Sequence, residues 1–554
     1  MRAFAQLYRA LDGTTSTRRK VAQMVAYLRG APPADAAWVV YFLAGGRPRR
    51  IVATRELRAA TLTASGLPEW LFEASYQAVG DLAETMALLL PRRPAGNPPG
   101  TDDLGLADWM TQRLLPLRDQ PGGQQQRAVI AWWLELDPDG RLLLNKLLTG
   151  GFRVGVSRQL VSRAIAQAFG VPATTVLQRM VGYVDKRRPP EPADFVRLTA
   201  PIGTGADDHV GHKPYPFLLA HPLGSDPALL GDIRHWQAEW KWDGIRIQLV
   251  HRAGQVSIWS RGEDLLTEAL PELDELGRRL PAGTVLDGEL LCWQQGQPWP
   301  MPFTAVQARI GSRRPGPKRL RESPAVMMAY DLLQLENIDF RAQPLAERLA
   351  TLAALVARLG DPRLRMSAPV AARDWSQLAC HRDLARERGA EGLMIKRLDA
   401  GYGAGRVREA AGGPWLKWKL DPLSIDAVLV YAQRGHGRRA GLYSDYTFAV
   451  WRTGLDDPAR ELVTFAKAYS GLTDGEMRAV DQIIRQTTVE SFGPVRSVRP
   501  TMVFELGFEG LQRSPRHKSG IAVRFPRMLR RREDKTIEQA DTLANLLALL
   551  PPGA

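Results

Sequence analysis

Lys241 stands in the segment Glu239-Trp240-Lys241-Trp242-Asp243-Gly244-Ile245-Arg246, two residues after a glutamate and two before an aspartate. If the segment is a strand, side chains alternate between faces, so Glu239, Lys241 and Asp243 share one. A lysine among carboxylates is either a surface ion pair or an amine nucleophile for an electrophilic phosphorus or carbonyl. Five further segments follow in order. Ser260-Arg261-Gly262-Glu263 puts an arginine at a strand end, and Val285-Leu286-Asp287-Gly288-Glu289-Leu290 reads as a strand with both acids on one face. Ala329-Tyr330-Asp331-Leu332 ends an apolar run with an aromatic, and Glu391-Gly392-Leu393-Met394-Ile395-Lys396 offers an acid and a lysine. Trp415-Leu416-Lys417-Trp418-Lys419 sets two lysines on one strand face.

Nucleotidyl transfer is the chemistry these residues can share. The attacking amine must be neutral, whereas free lysine titrates near about 10.4; the cations Lys417 and Lys419 would lower that value. A triphosphate needs cationic clamps and a hard divalent ion. Arg246, Arg261, Lys396, Lys417 and Lys419 supply the clamps, while Glu289 and Glu391 offer oxygen ligands for Mg²⁺. Tyr330 can stack on a base, and Glu239 can accept a hydrogen bond from an exocyclic amine. Taken singly, Lys417 and Lys419 also read as a solvated strand face, Glu289 as an edge acid and Tyr330 as a core aromatic. Alternation puts Glu391 and Lys396 on opposite faces, so their joint use requires Glu391 to sit in a turn before Gly392. Asp208, His209 and His212 form a loop without a third strong ligand and are read as structural.

These residues need a scaffold, and the 554-residue chain is long enough for three or four domains. It is 45% hydrophobic and 24% charged, an ordinary globular balance. A net charge of +15, spread along the chain and mixed with acids, favours a polyanionic partner, nucleic acid first. Two distant cysteines, Cys292 and Cys380, exclude a four-cysteine zinc module and predict no disulfide. No apolar run is long enough for a membrane span, and Met1-Arg2-Ala3-Phe4 opens no signal-peptide core, so the expected location is the cytoplasm, with no membrane partner.

Residues 1–185 read as helical. Thr14-Thr15-Ser16 offers caps ahead of Val21, Met24, Val25 and Leu28, and Leu160, Val161, Ala164, Ile165, Ala168 and Phe169 form one stripe between Ser157 and Gly170. The Gly150-Gly151-Phe152-Arg153 connection and this helix read either as a bundle with a solvated face or as a pair presenting amides, Arg153, Arg158 and Arg163 to DNA phosphates. Breakers at Lys186-Arg187-Arg188-Pro189-Pro190 open a linker over 186–213. Strands alternating with helices fill 214–423, and from 424 to 554 strands at Asp426–Tyr431, Tyr446–Trp451, Leu462–Tyr469 and Thr501–Phe508 have the spacing of a small barrel. Thr536–Leu550 reads as a closing amphipathic helix.

The ordered set resembles the ATP-dependent DNA ligases of the covalent nucleotidyltransferase superfamily, most specifically over 239–535, and in its proportions the bacterial B-type enzymes. Arg524-Phe525-Pro526-Arg527 followed by Arg532-Glu533-Asp534-Lys535 is similar to the motif that ends the family's barrel. The resemblance implies a multidomain α+β chain: an N-terminal all-α DNA-binding domain, a central α+β adenylation domain and a C-terminal OB-fold β-barrel. It implies that Lys241 takes AMP from ATP, passes it to the 5′-phosphate of a nick, and that the 3′-hydroxyl then displaces it. Glu239 would read adenine, Tyr330 stack on it, Arg246 and Arg261 reach ribose and phosphates, and Glu289 lie near the ribose or metal. Glu391 would bind metal, while Lys396, Lys417 and Lys419 neutralise phosphates. Arg532 through Lys535 would orient pyrophosphate in the first step. The implied ligands are ATP, Mg²⁺ (with Mn²⁺ as a substitute) and nicked duplex DNA, handled by a monomer whose domains close round the duplex.

Two departures stand out. The family's Gly-Arg pair before the Lys-x-Lys strand leaves Arg406 and Arg408 as alternatives, ahead of an apparent insertion at Glu409–Gly413. Asn337-Ile338 replaces the family's frequent Asn-Gly, which changes a turn. An NAD-dependent ligase would need the missing zinc module. An RNA ligase or capping-type enzyme has no use for a basic helical domain of this size, and a catalytically dead DNA-binding scaffold has no need of the charged set.

Overall fold

The computed structural model describes residues 1–48, 50–91, 104–150, 152, 154–184, 188–203, 211–407, 413–435, 441–492, 495–515 and 517–550. Arg153, Arg408, Asp208 and His209 therefore lie outside the described residues. The chain divides into two compact units, one of residues 10–48 and 153–420, the other of 1–9, 49–152 and 421–554.

In the first unit, helices Thr17–Gly30, Pro33–Leu43, Arg158–Phe169, Ala173–Arg179 and Pro192–Thr199 form a helical subregion. Ser157 caps Arg158–Phe169 by accepting from the Leu160 amide, and Val161, Ala164 and Ile165 are buried as their spacing predicts. The segment expected to be a plain linker carries the helix Pro192–Thr199, started by a capping box between Glu191 and Asp194. Proline at its first turn has no amide to waste, which is why a Pro-rich stretch there begins a helix rather than staying irregular.

The rest of this unit is built on two sheets. The strands are β1 (His221–Pro222), β2 (Trp236–Trp242), β3 (Ile245–Arg252), β4 (Gln255–Ser260), β5 (Thr284–Cys292), β6 (Ala325–Leu335), β7 (Ile338–Asp339), β8 (Leu364–Met366), β9 (Ala390–Arg397) and β10 (Trp415–Lys419). One sheet has the order β1-β10-β9-β2, and the other β4-β3-β5-β6-β7 with β8 parallel to β6. Helices Pro271–Arg279, Phe303–Ile310 and Leu345–Leu359 cover the larger sheet through Leu273, Leu276, Val306, Leu349, Leu352 and Leu355. A separate apolar cluster of Leu218, Val250, Val285, Tyr330, Leu333, Tyr402 and Trp415 joins the two sheets. Asn337 (φ 67°) and Glu336 (φ 51°) turn β6 into β7 with both residues left-handed, so the Asn-Ile departure keeps a tight hairpin.

In the second unit, Thr54–Ser65, Glu69–Val79, Leu82–Leu89, Gly122–Glu135 and Pro138–Thr149 are helices. The indole of Trp133, buried, donates to Asn145 Oδ1 (2.8 Å), and Lys146 pairs with Asp81 (2.7 Å). The C-terminal strands are β11 (Leu423–Arg434), β12 (Tyr443–Trp451), β13 (Leu462–Ala468), β14 (Thr488–Phe492), β15 (Val495–Val498), β16 (Val503–Phe508), β17 (Gly510–Arg513), β18 (Ile521–Arg524) and β19 (Arg527–Arg531). The long strand β11 pairs with β16 along its first half, with β15 along its second and with β12 on its other edge. Register shifts at Leu429/Tyr431 and Gln433/Arg434 bend it, which lets one sheet curl round the core of Phe448, Phe465, Phe504 and Phe508. The expected closing helix over Thr536–Leu550 is shorter: a turn at Ile537–Gln539 and a helix at Leu543–Ala548. Asp541 interrupts it by accepting from the Asp426 amide (2.8 Å).

Candidate active site

β2 and β9 are antiparallel, with Glu239 opposite Met394, Trp240 opposite Leu393, and Trp242 opposite Ala390. Two residues of β9, Glu391 and Gly392, therefore face the single residue Lys241. This bulge answers the face problem posed by alternation. Glu391 lies within the strand and not in a turn before it, and Gly392, at φ +138°, rotates the chain so that Glu391 points back to the lysine. A Cβ at Gly392 would collide with the Trp418 carbonyl and lie 2.7 Å from Lys419 Cα.

Lys241 Nζ meets Glu391 Oε2 at 2.6 Å, and Lys419 Nζ reaches the same oxygen at 3.2 Å. Where residue type predicts cations beside the amine, a carboxylate stands between Lys241 and Lys419. Burial alone would raise the Glu391 pKa, but Lys241 and Lys419 outweigh it and bring the carboxyl down to about 2. Lys417 lies on β10 opposite Met394, sharing the Lys419 face.

The larger sheet supplies the facing groups. Arg246 on β3 is the cross-strand neighbour of Glu289 on β5. Gly244 permits that approach, since a Cβ there would lie 2.7 Å from Glu289 Cγ. Burial pushes the Glu289 carboxyl up to about 8, opposed by Lys241 and Arg246 and reinforced by Glu391. Arg246 itself is drawn into Asp287 (Nη2 to Oδ2 2.6 Å) and the Leu218 carbonyl (2.5 Å). Tyr402 donates to Asp287 Oδ2 (2.6 Å) and accepts from Arg246 Nη2 (3.2 Å), Leu218 N (3.3 Å) and Gln248 Nε2 (3.4 Å). Sequence reasoning missed this hub. Nothing in the segment around Tyr402 signals that its hydroxyl meets an acid 115 positions away.

Glu239 and Lys396, each 1% exposed, form a buried ion pair, and Lys396 also donates to the Tyr330 carbonyl (3.3 Å). Lys396 thus reaches the carboxylate expected to read a base, rather than standing free as a phosphate clamp. Its ammonium lies 4.2 Å from the Tyr330 ring centre and 4.1 Å from that of Trp415. Among the described residues Glu239 Oε2 is buried with no hydrogen-bond partner, and burial raises this carboxyl above the usual range against the pull of Lys396 and of Ser367. Such an orphaned acceptor is where an exocyclic amine can donate. Tyr330 is held by its neighbour Asp331, whose carboxylate takes both Nε (2.7 Å) and Nη2 (2.9 Å) of Arg348 from helix Leu345–Leu359.

Arg261 follows β4, its amide bonded to the Arg246 carbonyl (3.0 Å) and its side chain exposed without an ion pair among the described residues. Arg406 is likewise exposed. Arg163 is exposed on helix Arg158–Phe169, but Arg158, expected to face DNA phosphates, is tied to Glu263 instead. In the second unit Arg532 pairs with Asp426 (2.9 Å) and Asp534 (2.6 Å), and Lys535 reaches Asp426 (2.5 Å). Among the described residues no group of three or more His, Cys, Asp or Glu side chains gathers as a metal site, and no single helix is long and apolar enough to cross a membrane.

Three family models match the chain: the DNA ligase N terminus over residues 1–166, the ATP dependent DNA ligase domain over 218–419, and the ATP dependent DNA ligase C terminal region over 439–535. The chain belongs to the ATP-dependent DNA ligases. It seals nicks in DNA using ATP, through a helical N-terminal region, a central nucleotidyltransferase domain and a strand-rich C-terminal domain. Among relatives of this ligase, a probable DNA ligase from Koribacter versatilis is 32% identical over 98% of this chain and 95% of its own. One from Kineococcus radiotolerans is 34% identical over 98% and 97%, and DNA ligase 1 of Korarchaeum cryptofilum 28% over 98% and 97%. A solved structure titled Pmar-Lig_PreS3 shares the fold, with a TM-score of 0.57 at 16% identity over 95% of this ligase and 99% of that chain.

Proposed function

We propose that Lys241 is the residue that carries AMP. The observation behind this reading is its place: an amine joined to Glu391 in a strand bulge and near enough to Glu289 of a second sheet to hold down that carboxyl's pKa. The Nζ lone pair attacks the α-phosphorus of ATP after losing its proton, the α–β phosphoanhydride bond breaks, and pyrophosphate leaves with the electron pair. A 5′-phosphate oxygen at the nick then attacks the adenylate phosphorus and the P–N bond breaks, returning the lysine. Finally the 3′-hydroxyl attacks the 5′-phosphorus, AMP leaves, and the strand is closed.

Glu239 accepts from the adenine amine through its orphaned oxygen, and Tyr330 with Trp415 walls the base. Arg246, Arg261 and one of Arg406 or Arg408 meet ribose and phosphates, with Lys417 and Lys419 adding positive charge, while Lys396 holds Glu239 in place for the base. Arg532 and Lys535 of the barrel orient pyrophosphate during the first step. Glu289 and Glu391 would hold Mg²⁺: a carboxyl that keeps a proton up to about pH 8 beside a second carboxylate is a place where a cation can replace that proton. The ion held by these two carboxylates would supply neutralisation of the phosphate charge. The ligase works as a monomer in the cytoplasm on nicked duplex DNA, with a helical domain over 1–185, a linker at 186–213, an adenylation domain over 214–423 and a barrel over 424–554.

Incubation with labelled ATP and Mg²⁺ tests the central claim. Wild-type protein should gain the mass of one AMP, Lys241→Ala should gain none, and GTP and NAD run in parallel should not label. Label retained by the alanine variant would refute the assignment.

A further inference from the structure

Glu263 closes the Ser260-Arg261-Gly262-Glu263 turn in the left-handed region, at φ +65°. That conformation is unfavourable for a side chain with a Cβ, so something must hold it. Hydrogen bonds within the turn hold part of it: Glu263 N to Ser260 O (2.9 Å), Ser260 N to Asp264 O (2.9 Å) and Asp264 N to Ser260 Oγ (3.1 Å). The carboxylate is fixed by the helical subregion of the same unit. Glu263 Oε1 pairs with Arg158, the first residue of its helix, and Oε2 accepts from the Gly182 amide at 3.0 Å. Both side chains are largely covered, at 29% exposure for Arg158 and 17% for Glu263. The contact continues through Trp259, whose ring lies 3.6 Å from where a Gly182 Cβ would stand and whose indole donates to the His212 carbonyl (2.8 Å).

The turn also carries Arg261, whose amide is bonded to the carbonyl of Arg246 (3.0 Å). We infer that Arg158 and Glu263 are positioning residues for Arg261: the ion pair fixes the turn so that the Arg261 guanidinium is aimed at the nucleotide site. This rests on the reading of Arg261 as a nucleotide contact and assigns Arg158 a task other than meeting DNA phosphates. The pair acts through geometry, because neither member needs to touch ATP.

Lysyl-AMP formation without DNA tests it, with wild type, Glu263→Gln, Arg158→Met, Arg261→Ala and the two double variants that join each of the first to the last. The expected result is a KM for ATP, taken as the concentration giving half the limiting single-turnover rate, raised about tenfold by each of the first two with that limiting rate little altered, the signature of lost binding. In the Arg261→Ala background neither should add anything, since the group they position is gone. Full additivity there, an unchanged KM, or a loss that merely tracks a lowered Tm would overturn the proposal. If Arg261→Ala alone leaves the KM unchanged, the reading of Arg261 fails first, an outcome separate from failure of the pair.

Discussion

At the scale of single residues, the two carboxylates around Lys241 are poised in opposite senses. Glu391 is ionised by its lysine neighbours, at about 2, whereas Glu289 holds a proton up to about 8 because it is buried. Replacing Glu391 by glutamine leaves Lys241 and Lys419 without the anion that joins them, and adenylation should fall by about 100-fold or more. Rapid-quench measurement of lysyl-AMP checks this; activity within a few-fold of wild type would discard the role. Glu289 gives a pH prediction whose sign follows directly. Below about pH 8 a cation must displace its proton, so each Mg²⁺ bound releases one, and affinity rises up to about tenfold per pH unit before levelling off above 8. Magnesium titrations of adenylation across pH check it. An affinity that is flat below pH 8 would show that Glu289 does not ligate the ion.

At the scale of elements, the site depends on one bulge and one hydroxyl. Gly392→Ala introduces a Cβ at φ +138° against the β10 backbone, so the bulge must flatten and Glu391 must turn away. The expected cost is about 2–4 kcal/mol of stability, with loss of adenylation, seen by thermal unfolding and AMP transfer together. Tyr402→Phe removes a donor to Asp287 and the acceptor of three other groups, costing about 1–3 kcal/mol and raising the KM for ATP as Arg246 loses its alignment. An unchanged Tm and KM would reduce Tyr402 to filler. These two elements also mark how far the sequence could be read. Lys241, Arg246, Glu289 and Tyr330 lie on strands β2, β3, β5 and β6, where residue type and alternation alone place them. Alternation failed at Glu391, where the only warning was the glycine after it. The Tyr402 hub was invisible because it is made by the turn of one segment against a strand over a hundred positions away. Periodicity over Thr536–Leu550 overstates the closing helix because it says nothing of Asp541 being taken by the Asp426 amide.

At the scale of the whole molecule, charge is the property that matters most. The chain carries +15 overall, and Arg163 and Arg261 stand exposed on the unit that holds Lys241. Fifteen surplus charges are spread along a folded chain, so binding to a duplex releases many condensed counterions at once, with little dependence on base sequence. If roughly six to ten phosphates are neutralised, affinity for a nicked duplex drops by about 10³–10⁵ between about 50 and 200 mM salt. Arg163→Ala should lower the magnitude of the log–log slope by about 1 whatever the sequence flanking the nick, as expected for a phosphate contact. Fluorescence anisotropy over a salt series measures both quantities. A slope near zero for the wild type would mean that the basic surface is not what holds DNA, and a normal slope unmoved by Arg163→Ala would place the contacts on other faces.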